Sequence, residues 1–153
     1  MNRAKAQGPK LFTLQEAEDV LPFLRERLSR GQALLESFES VHEDLSVLRL
    51  VSASGGTENN PDREALAAKD REQASLLAEI RRVEADLQET GCVPKSLAEG
   101  LVDFFAQKDG RLVLLCWKQG EKQVEAWHTL DGGFAGRMPI ASFKSGKPAN
   151  EPS

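Results

Sequence analysis

The chain has 153 residues, 40% of them hydrophobic and 29% charged, with a formal net charge of −4. This composition predicts a single folded domain, and the acidic balance, without a basic stripe, disfavours nucleic acid as a partner. No apolar run approaches the ~20 residues that cross a bilayer and none forms a signal peptide, so we expect a cytoplasmic protein, not bound to a membrane, with both cysteines reduced.

A long first helix is predicted to follow Thr13. The Thr13 hydroxyl is placed to accept the N–H of Glu16, and the Glu16 carboxylate to accept the N–H of Thr13, which is a capping box. Apolar or small residues then recur at intervals of three and four from Ala17 to Leu45. Pro22 cannot donate a helix hydrogen bond, so we expect a kink or restart there.

A second helix is predicted after a loop. The loop, Ser52–Pro61, is rich in Gly, Ser and Asn, and an apolar stripe then runs from Leu66 to Leu87. Gly91 and Pro94 are typical of a helix end. The two helices would be roughly 55–60 Å and roughly 40 Å long, too long for a compact globule, so we expect a protruding antiparallel hairpin of coiled-coil character.

The hairpin leaves apolar side chains at the margin of its seam: Leu34, Leu48, Leu50, Val51 and Leu76. Two helices bury only one seam between them, so these residues need another partner. The sheet can cover some of them near the base of the hairpin, but not those at the tip. We therefore expect a homodimer in which two hairpins form a four-helix bundle, and another protein partner is also open. The alternative is that these are scattered surface residues, which are common.

The next segment predicts three antiparallel strands, over Leu101–Ala106, Arg111–Lys118 and Gln123–His128. Asp109-Gly110 is a strong signal for a two-residue type I′ turn between the first two. The fold class is therefore α+β: a long two-helix hairpin followed by a small three-stranded meander. Residues 130–140 are predicted to be irregular and to end in a short extra strand around Met138–Phe143.

These elements define the expected domain organisation. Residues 1–10 are predicted to be a disordered N-terminus and residues 144–153 a disordered tail, because neither has side chains to bury. A single domain spans residues 11–143, with the helical hairpin over 13–91 and the sheet over 100–143.

The strand register decides which polar side chains meet. A two-residue turn places Asp103 opposite Cys116, and a four-residue loop over 119–122 places Cys116 opposite Glu125. Asp103, Cys116 and Glu125 then form a row on one face, while His128 points to the apolar face. The row is a weak candidate for a metal site, since no zinc spacing is present. The alternative is that a Lys or Arg pairs with the carboxylates and Cys116 packs as a small hydrophobe.

A second group of candidate ligand-binding residues lies at the end of the sheet: Asp103, Glu121, His128, Asp131 and Arg137. His128 suits a ligand or acid–base role, or simply a hydrogen bond to a loop carbonyl. The glycine-rich segment 132–136 could form a backbone nest for an anion, with Arg137 adding donors. Alternatively, Arg137 pairs with Asp103 or Glu121.

Two further side chains have structural interpretations. Glu39-x-x-His42 has the spacing of dimetal helical bundles, but the second helix has no histidine, so a contact between His42 and Asp70 or Arg71 is the simpler expectation. Cys92 has apolar or neutral neighbours and no obvious base, which predicts an unreactive thiol.

Five short segments together resemble a known family: Leu11–Ala17, Gly100–Phe104, Leu115-Cys116-Trp117, Trp127-His128 and Gly133–Arg137. They resemble an uncharacterised bacterial family, domain of unknown function 2203, over about Leu11 to Pro139. The resemblance implies no activity. Asp103, Glu121, His128 and Arg137 fall on polar positions of its motif.

Two functions remain open from the sequence. The favoured one is a non-enzymatic, homo-oligomeric assembly or adaptor module that presents the helical hairpin, since no nucleophile–base arrangement can be assembled. The alternative is a small-molecule, metal or anion binding protein or enzyme, with its site near His128 and Arg137. The sequence identifies no cofactor.

Overall fold

The computed structural model describes residues 8–55 and 61–144. The expected disorder of the N-terminus and tail therefore concerns residues that, apart from 8–10 and 144, lie outside the described ranges. Helices come first and the sheet second, which confirms the α+β class. The helices are α1 (Leu14–Asp19), α2 (Leu21–Gly55) and α3 (Pro61–Glu89), with a short α4 (Ile140–Lys144) at the end.

The start of the helical part follows the predicted capping box. The N–H of Glu16 donates to Thr13 Oγ1 and the N–H of Thr13 donates to Glu16 Oε1, both over 3.0 Å. The helix breaks at Val20, and α2 begins at Leu21 with Pro22 in its first turn. A first-turn position has no intrahelical partner for its N–H, so proline is tolerated there.

The two long helices run antiparallel, because ion pairs join the start of one to the end of the other. Arg27 Nη1 lies 3.0 Å from Asp86 Oδ2 near the base, and Arg49 Nη2 lies 3.0 Å from Asp70 Oδ1 near the tip. Helix α2 extends through Gly55, so the predicted loop starts later than Ser52. No helix in the described ranges has both the length and the apolar character to span a membrane.

The base of the hairpin packs on the sheet through a continuous apolar cluster. From the hairpin it includes Leu24, Leu28, Leu34, Ile80, Val83 and Leu87. Leu34 is only 6% exposed. Leu34 is therefore covered within the chain itself, as the sequence analysis allowed for residues near the base of the hairpin.

The sheet has five antiparallel strands in sequential order, rather than the three predicted. They are β1 (Val93–Ser96), β2 (Leu101–Lys108), β3 (Arg111–Lys118), β4 (Ala126–Thr129) and β5 (Met138–Pro139). The extra strand predicted around Met138–Phe143 corresponds to β5, although β5 covers only two residues. The sequence analysis missed β1, and both outer strands give a weak pattern because they are very short and each contains a proline. Proline is compatible with an edge, where one side of the strand needs no partner.

The turn between β2 and β3 confirms the predicted register. Asp109 and Gly110 both have positive φ, 54° and 80°, as a type I′ turn requires. Asp103 consequently pairs with Cys116.

The register between β3 and β4 differs from the prediction by one residue. Cys116 pairs with Ala126, not with Glu125. The connection runs through residues 119–125, and Val124 is 2% exposed within the core. Val124 packs into the core before β4 begins at Ala126. Each side chain of β4 therefore points to the opposite face of the sheet from the one predicted. A one-residue slip reverses the face of every side chain in a strand.

The corrected register changes the two faces of the sheet. The face toward the hairpin buries seven apolar side chains from the central strands: Val102, Phe104, Ala106, Val113, Leu115, Trp117 and Trp127. The other face carries Asp103, Leu114, Cys116, Ala126 and His128, all of them buried. The polar residues that the sequence analysis assigned to two faces thus share one.

A buried Asp–Cys–His cluster as candidate functional site

Three neighbouring strands bring the cluster together. Asp103 on β2 is directly opposite Cys116 on β3. His128 on β4 pairs with Leu114, one row further along the same face. Ala126, which faces Cys116, contributes only a methyl group, and the longer imidazole of His128 reaches across the face to Asp103.

The cluster is closely spaced and enclosed. His128 Nε2 lies 3.1 Å from Asp103 Oδ2. One ligand atom from each of Asp103, Cys116 and His128 lies within 4.8 Å of the other two. The three residues are 2%, 0% and 2% exposed, respectively. Polar groups at this depth need partners, because an unpaired buried polar atom is costly.

Hydrogen bonding fixes the orientation of the imidazole. His128 Nδ1 lies 2.7 Å from the carbonyl oxygen of Thr129. A carbonyl only accepts, so Nδ1 carries a proton and donates it. The opposite nitrogen, Nε2, then faces the Asp103 carboxylate. A neutral imidazole would place a lone pair against a carboxylate oxygen there, so this contact requires either another proton or a cation between the two atoms.

The Cys116 thiol is held in its protonated form by its surroundings. Burial, and next the nearby Asp103 carboxylate, raise the pKa of Cys116 to about 12, although the Arg137 guanidinium opposes this. Both imidazole nitrogens of His128 are already engaged. Nucleophilic catalysis needs a thiolate or an adjacent free base, so the arrangement does not favour Cys116 as a nucleophile.

One oxygen of the buried carboxylate has no partner. Asp103 Oδ2 faces His128, but Asp103 Oδ1 is buried without a hydrogen bond from any described residue. Such atoms are uncommon in folded proteins and call for a specific reason. This cluster therefore has unused ligating capacity at its centre.

A salt bridge lies beside the cluster. Arg137 Nη2 donates to both carboxylate oxygens of Glu121, over 2.9 and 3.1 Å, and lies 3.4 Å from the carbonyl oxygen of Cys116. Glu121 Oε1 also accepts the N–H of Lys118, which anchors the carboxylate to the end of β3. Of the partners that the sequence left open for Arg137, the structure therefore selects Glu121 over Asp103.

The remaining candidate residues lie outside the cluster. Glu125 is exposed, and its backbone carbonyl accepts the N–H of Ile140. Asp131 is exposed and accepts a hydrogen bond from the Thr129 hydroxyl over 2.9 Å. Glu125 was placed in the predicted metal row only by the incorrect register.

The glycine-rich segment forms a 3₁₀ turn, Phe134–Gly136, that uses its own amides. The N–H groups of Gly136 and Arg137 donate to backbone carbonyls within the segment. Arg137 stacks over the ring of Phe134, with 4.8 Å from the guanidinium carbon to the ring centroid. These two amides are therefore not available for an anion nest.

His42 and Cys92 both have partners in the helical part of the molecule. His42 Nδ1 lies 3.3 Å from Gln73 Nε2 on the hairpin, and Asp70, its expected partner, binds Arg49 instead. Cys92 is buried and its thiol donates to the carbonyl of Leu87 over 3.2 Å. Burial raises the pKa of Cys92, in agreement with an unreactive thiol.

The role of Thr129 could not be found from the sequence. It acts through its backbone carbonyl, a group that every residue carries, and only the β4 register brings it to the imidazole. Orientation of a histidine by a carbonyl on its far nitrogen is common in metal sites.

Residues 10–140 match the model of a protein family described as "Uncharacterized conserved protein (DUF2203)". The chain belongs to this family. No curated protein and no solved structure was found to match the DUF2203 chain. The matched range contains the whole Asp103–Cys116–His128 cluster and the Glu121–Arg137 salt bridge.

Proposed function

We propose that this DUF2203 chain is a metal-binding protein that holds a divalent ion of the zinc class at Asp103, Cys116 and His128. The proposal rests on one observation: Nε2 of an imidazole whose Nδ1 already donates a proton lies 3.1 Å from a buried carboxylate oxygen. The sequence analysis placed His128 and Asp103 on opposite faces of the sheet, and that placement is wrong.

The donor set selects the class of metal. It offers one nitrogen, one oxygen and one sulfur atom, all within 4.8 Å of one another. Magnesium and calcium prefer oxygen ligands alone, whereas zinc and neighbouring first-row ions accept thiolate and imidazole. Three protein ligands also leave a fourth, open position, as in catalytic zinc sites.

Charge balance supports the same assignment. A divalent ion bound by the Asp103 carboxylate and a Cys116 thiolate gives a neutral centre, so no net charge is buried. Metal binding displaces the thiol proton and thereby overcomes the effect of burial on Cys116. A reducing cytoplasmic setting is part of this proposal, because an oxidised thiol cannot serve as this ligand.

Metal analysis of protein without a histidine tag tests the proposal. We expect one metal ion per chain, and replacement by Co²⁺ should give a near-ultraviolet thiolate-to-cobalt band. Cys116→Ser should remove that band, and Asp103→Asn and His128→Gln should weaken Co²⁺ binding. Cys92→Ser is the matched control, since Cys92 is also a buried free cysteine but lies outside the cluster.

The competing explanation is a proton rather than a metal between Asp103 and His128. In that case, folded protein purified and titrated with Zn²⁺ or Co²⁺ would take up no ion. Circular dichroism of the wild-type protein verifies that it is folded. A folded protein without metal uptake would overturn the proposal.

A second candidate function is assembly through the helical hairpin. Val47, Leu50 and Val51 on α2 are 59%, 74% and 46% exposed. They are three and four residues apart, so they share one stripe of the helix. The partner we propose is a second copy of this chain, whose identical stripe would form a four-helix bundle and complete the coiled-coil hairpin as a dimer.

Mass measurement by light scattering tests the assembly. We expect twice the chain mass at micromolar concentration and a single chain mass for Leu50→Glu. Leu112→Glu is a suitable control, because Leu112 is an exposed leucine, 37% accessible, on the sheet. A wild-type protein with the mass of one chain would contradict this second candidate.

A further inference from the structure

Two buried atoms beside Cys116 have no hydrogen-bond partner among the described residues. One is an acceptor, Asp103 Oδ1, and the other is a donor, Arg137 Nε. Both belong to side chains next to Cys116: Asp103 is opposite it in the sheet, and Arg137 Nη2 lies 3.4 Å from its carbonyl oxygen. A ligand beside Cys116 would supply a partner to each of these two atoms, one an acceptor and the other a donor.

The salt bridge to Glu121 does not use the donor in question. Both Glu121 oxygens are bound by Nη2 of Arg137, and Nε is left over. Guanidinium groups recognise oxyanions with two parallel N–H donors. The Nε–H group of Arg137 is thus available to a ligand on the side of the guanidinium that Glu121 does not occupy.

A single ligand that satisfies both atoms must accept one hydrogen bond and donate another. It must also be small, because Asp103, Cys116 and His128 are almost completely enclosed. A protonated oxyanion has these properties: one oxygen accepts from Arg137 Nε, and its hydroxyl donates to Asp103 Oδ1. A third oxygen remains for the open position of the metal.

We infer that the site binds a small protonated oxyanion of the hydrogen carbonate or hydrogen phosphate class between Arg137, Asp103 and the metal. This inference rests on the proposed metal-binding function. It assigns Arg137 as a ligand-binding residue in addition to its structural contact with Glu121.

The test uses Co²⁺-loaded full-length protein after free metal has been removed. Hydrogen phosphate, hydrogen carbonate and sulfate are titrated at matched ionic strength, and the visible cobalt spectrum is followed. Sulfate has the size and charge of an oxyanion but no proton to donate at neutral pH. We expect saturable spectral changes with the two protonated anions. Sulfate should bind at least about tenfold more weakly than hydrogen phosphate, because sulfate leaves Asp103 Oδ1 unsatisfied.

Arg137→Lys separates recognition from charge. Lysine keeps the positive charge for Glu121 but has no second N–H group in a fixed fork. We expect this variant to bind Co²⁺ normally and to lose about tenfold or more in hydrogen phosphate affinity. Arg27→Lys is the control, since Arg27 is bound to Asp86 on the hairpin.

The outcomes distinguish this inference from the function on which it rests. Failure of Co²⁺ to bind would overturn both. Normal Co²⁺ binding with a spectrum unchanged by all three anions would overturn only the oxyanion site, with water then satisfying the two atoms. Equal affinity for sulfate and hydrogen phosphate would overturn the role of the proton.

Discussion

Both faces of the sheet contain buried side chains, but these are stabilised in different ways. On the face toward the hairpin, Phe104, Leu115 and Trp117 are fully buried in one apolar cluster. On the opposite face, Asp103 and His128 are each only 2% exposed. Apolar burial needs only close packing, whereas a buried carboxylate and imidazole need specific partners.

This difference separates residues that stabilise the fold from the residues of the candidate site. The apolar face gains free energy in proportion to the area removed from water, whatever the surroundings. The polar face retains an unpartnered carboxylate oxygen, Asp103 Oδ1, which is a cost to the folded state. A fold under selection for stability alone would favour an apolar side chain at this position.

The largest effect is expected for the dependence of stability on metal. At a thousandfold excess of Zn²⁺ over its dissociation constant, we expect a stabilisation of about 4 kcal/mol, which raises Tm by about 8–16 °C for a chain of this size. His128→Gln should abolish this rise. Differential scanning fluorimetry with Zn²⁺ and with a chelator measures it, and an equal rise in His128→Gln would contradict the assignment.

Two neighbouring residues on β3, one on each face of the sheet, test the difference between the faces directly. Leu115→Ala removes buried apolar contacts and should destabilise the protein by about 3 kcal/mol, with or without Zn²⁺. Cys116→Ala should cost less in metal-free protein, because a small side chain is removed, and should eliminate the response to Zn²⁺. Urea denaturation of both variants measures this. A Zn²⁺ response that is lost in Leu115→Ala and kept in Cys116→Ala would reverse the roles of the two faces.

The apolar face was largely predictable from the sequence because its signals are local. Alternation along β2 and β3, and the Asp109-Gly110 turn, together determine which residues of these strands face the hairpin. The capping box at Thr13 is local in the same sense. Each of these patterns is contained in a few consecutive residues, so those residues alone are sufficient to predict the local structure.

The candidate site was predicted only in part because its geometry depends on a connection without a strong turn signal. Asp103 and Cys116 were correctly placed together, but His128 was not. The connection over 119–125 is held by tertiary contacts: the indole N–H of Trp117 donates to the Glu121 carbonyl over 3.0 Å, and Val124 is drawn into the core. No short-range pattern encodes such contacts, yet they decide the face on which β4 presents His128.

A smaller effect is expected at the salt bridge beside the cluster. Glu121→Gln removes the charge paired with Arg137, and both side chains are about one-fifth exposed. We expect a loss of about 1 kcal/mol in urea denaturation and unchanged Co²⁺ binding. Loss of Co²⁺ would instead indicate that Glu121 is itself a metal ligand.

The smallest effect is expected at Glu125, and it discriminates between the two registers. If Cys116 paired with Glu125, as the four-residue loop predicted, Glu125→Gln would impair Co²⁺ binding and His128→Gln would not. With Cys116 opposite Ala126, Glu125 is an exposed side chain. We therefore expect Glu125→Gln to change stability by less than about 0.5 kcal/mol and to leave the cobalt spectrum unaltered. Because the substitution is isosteric, a lost cobalt band in this variant would argue for the slipped strand.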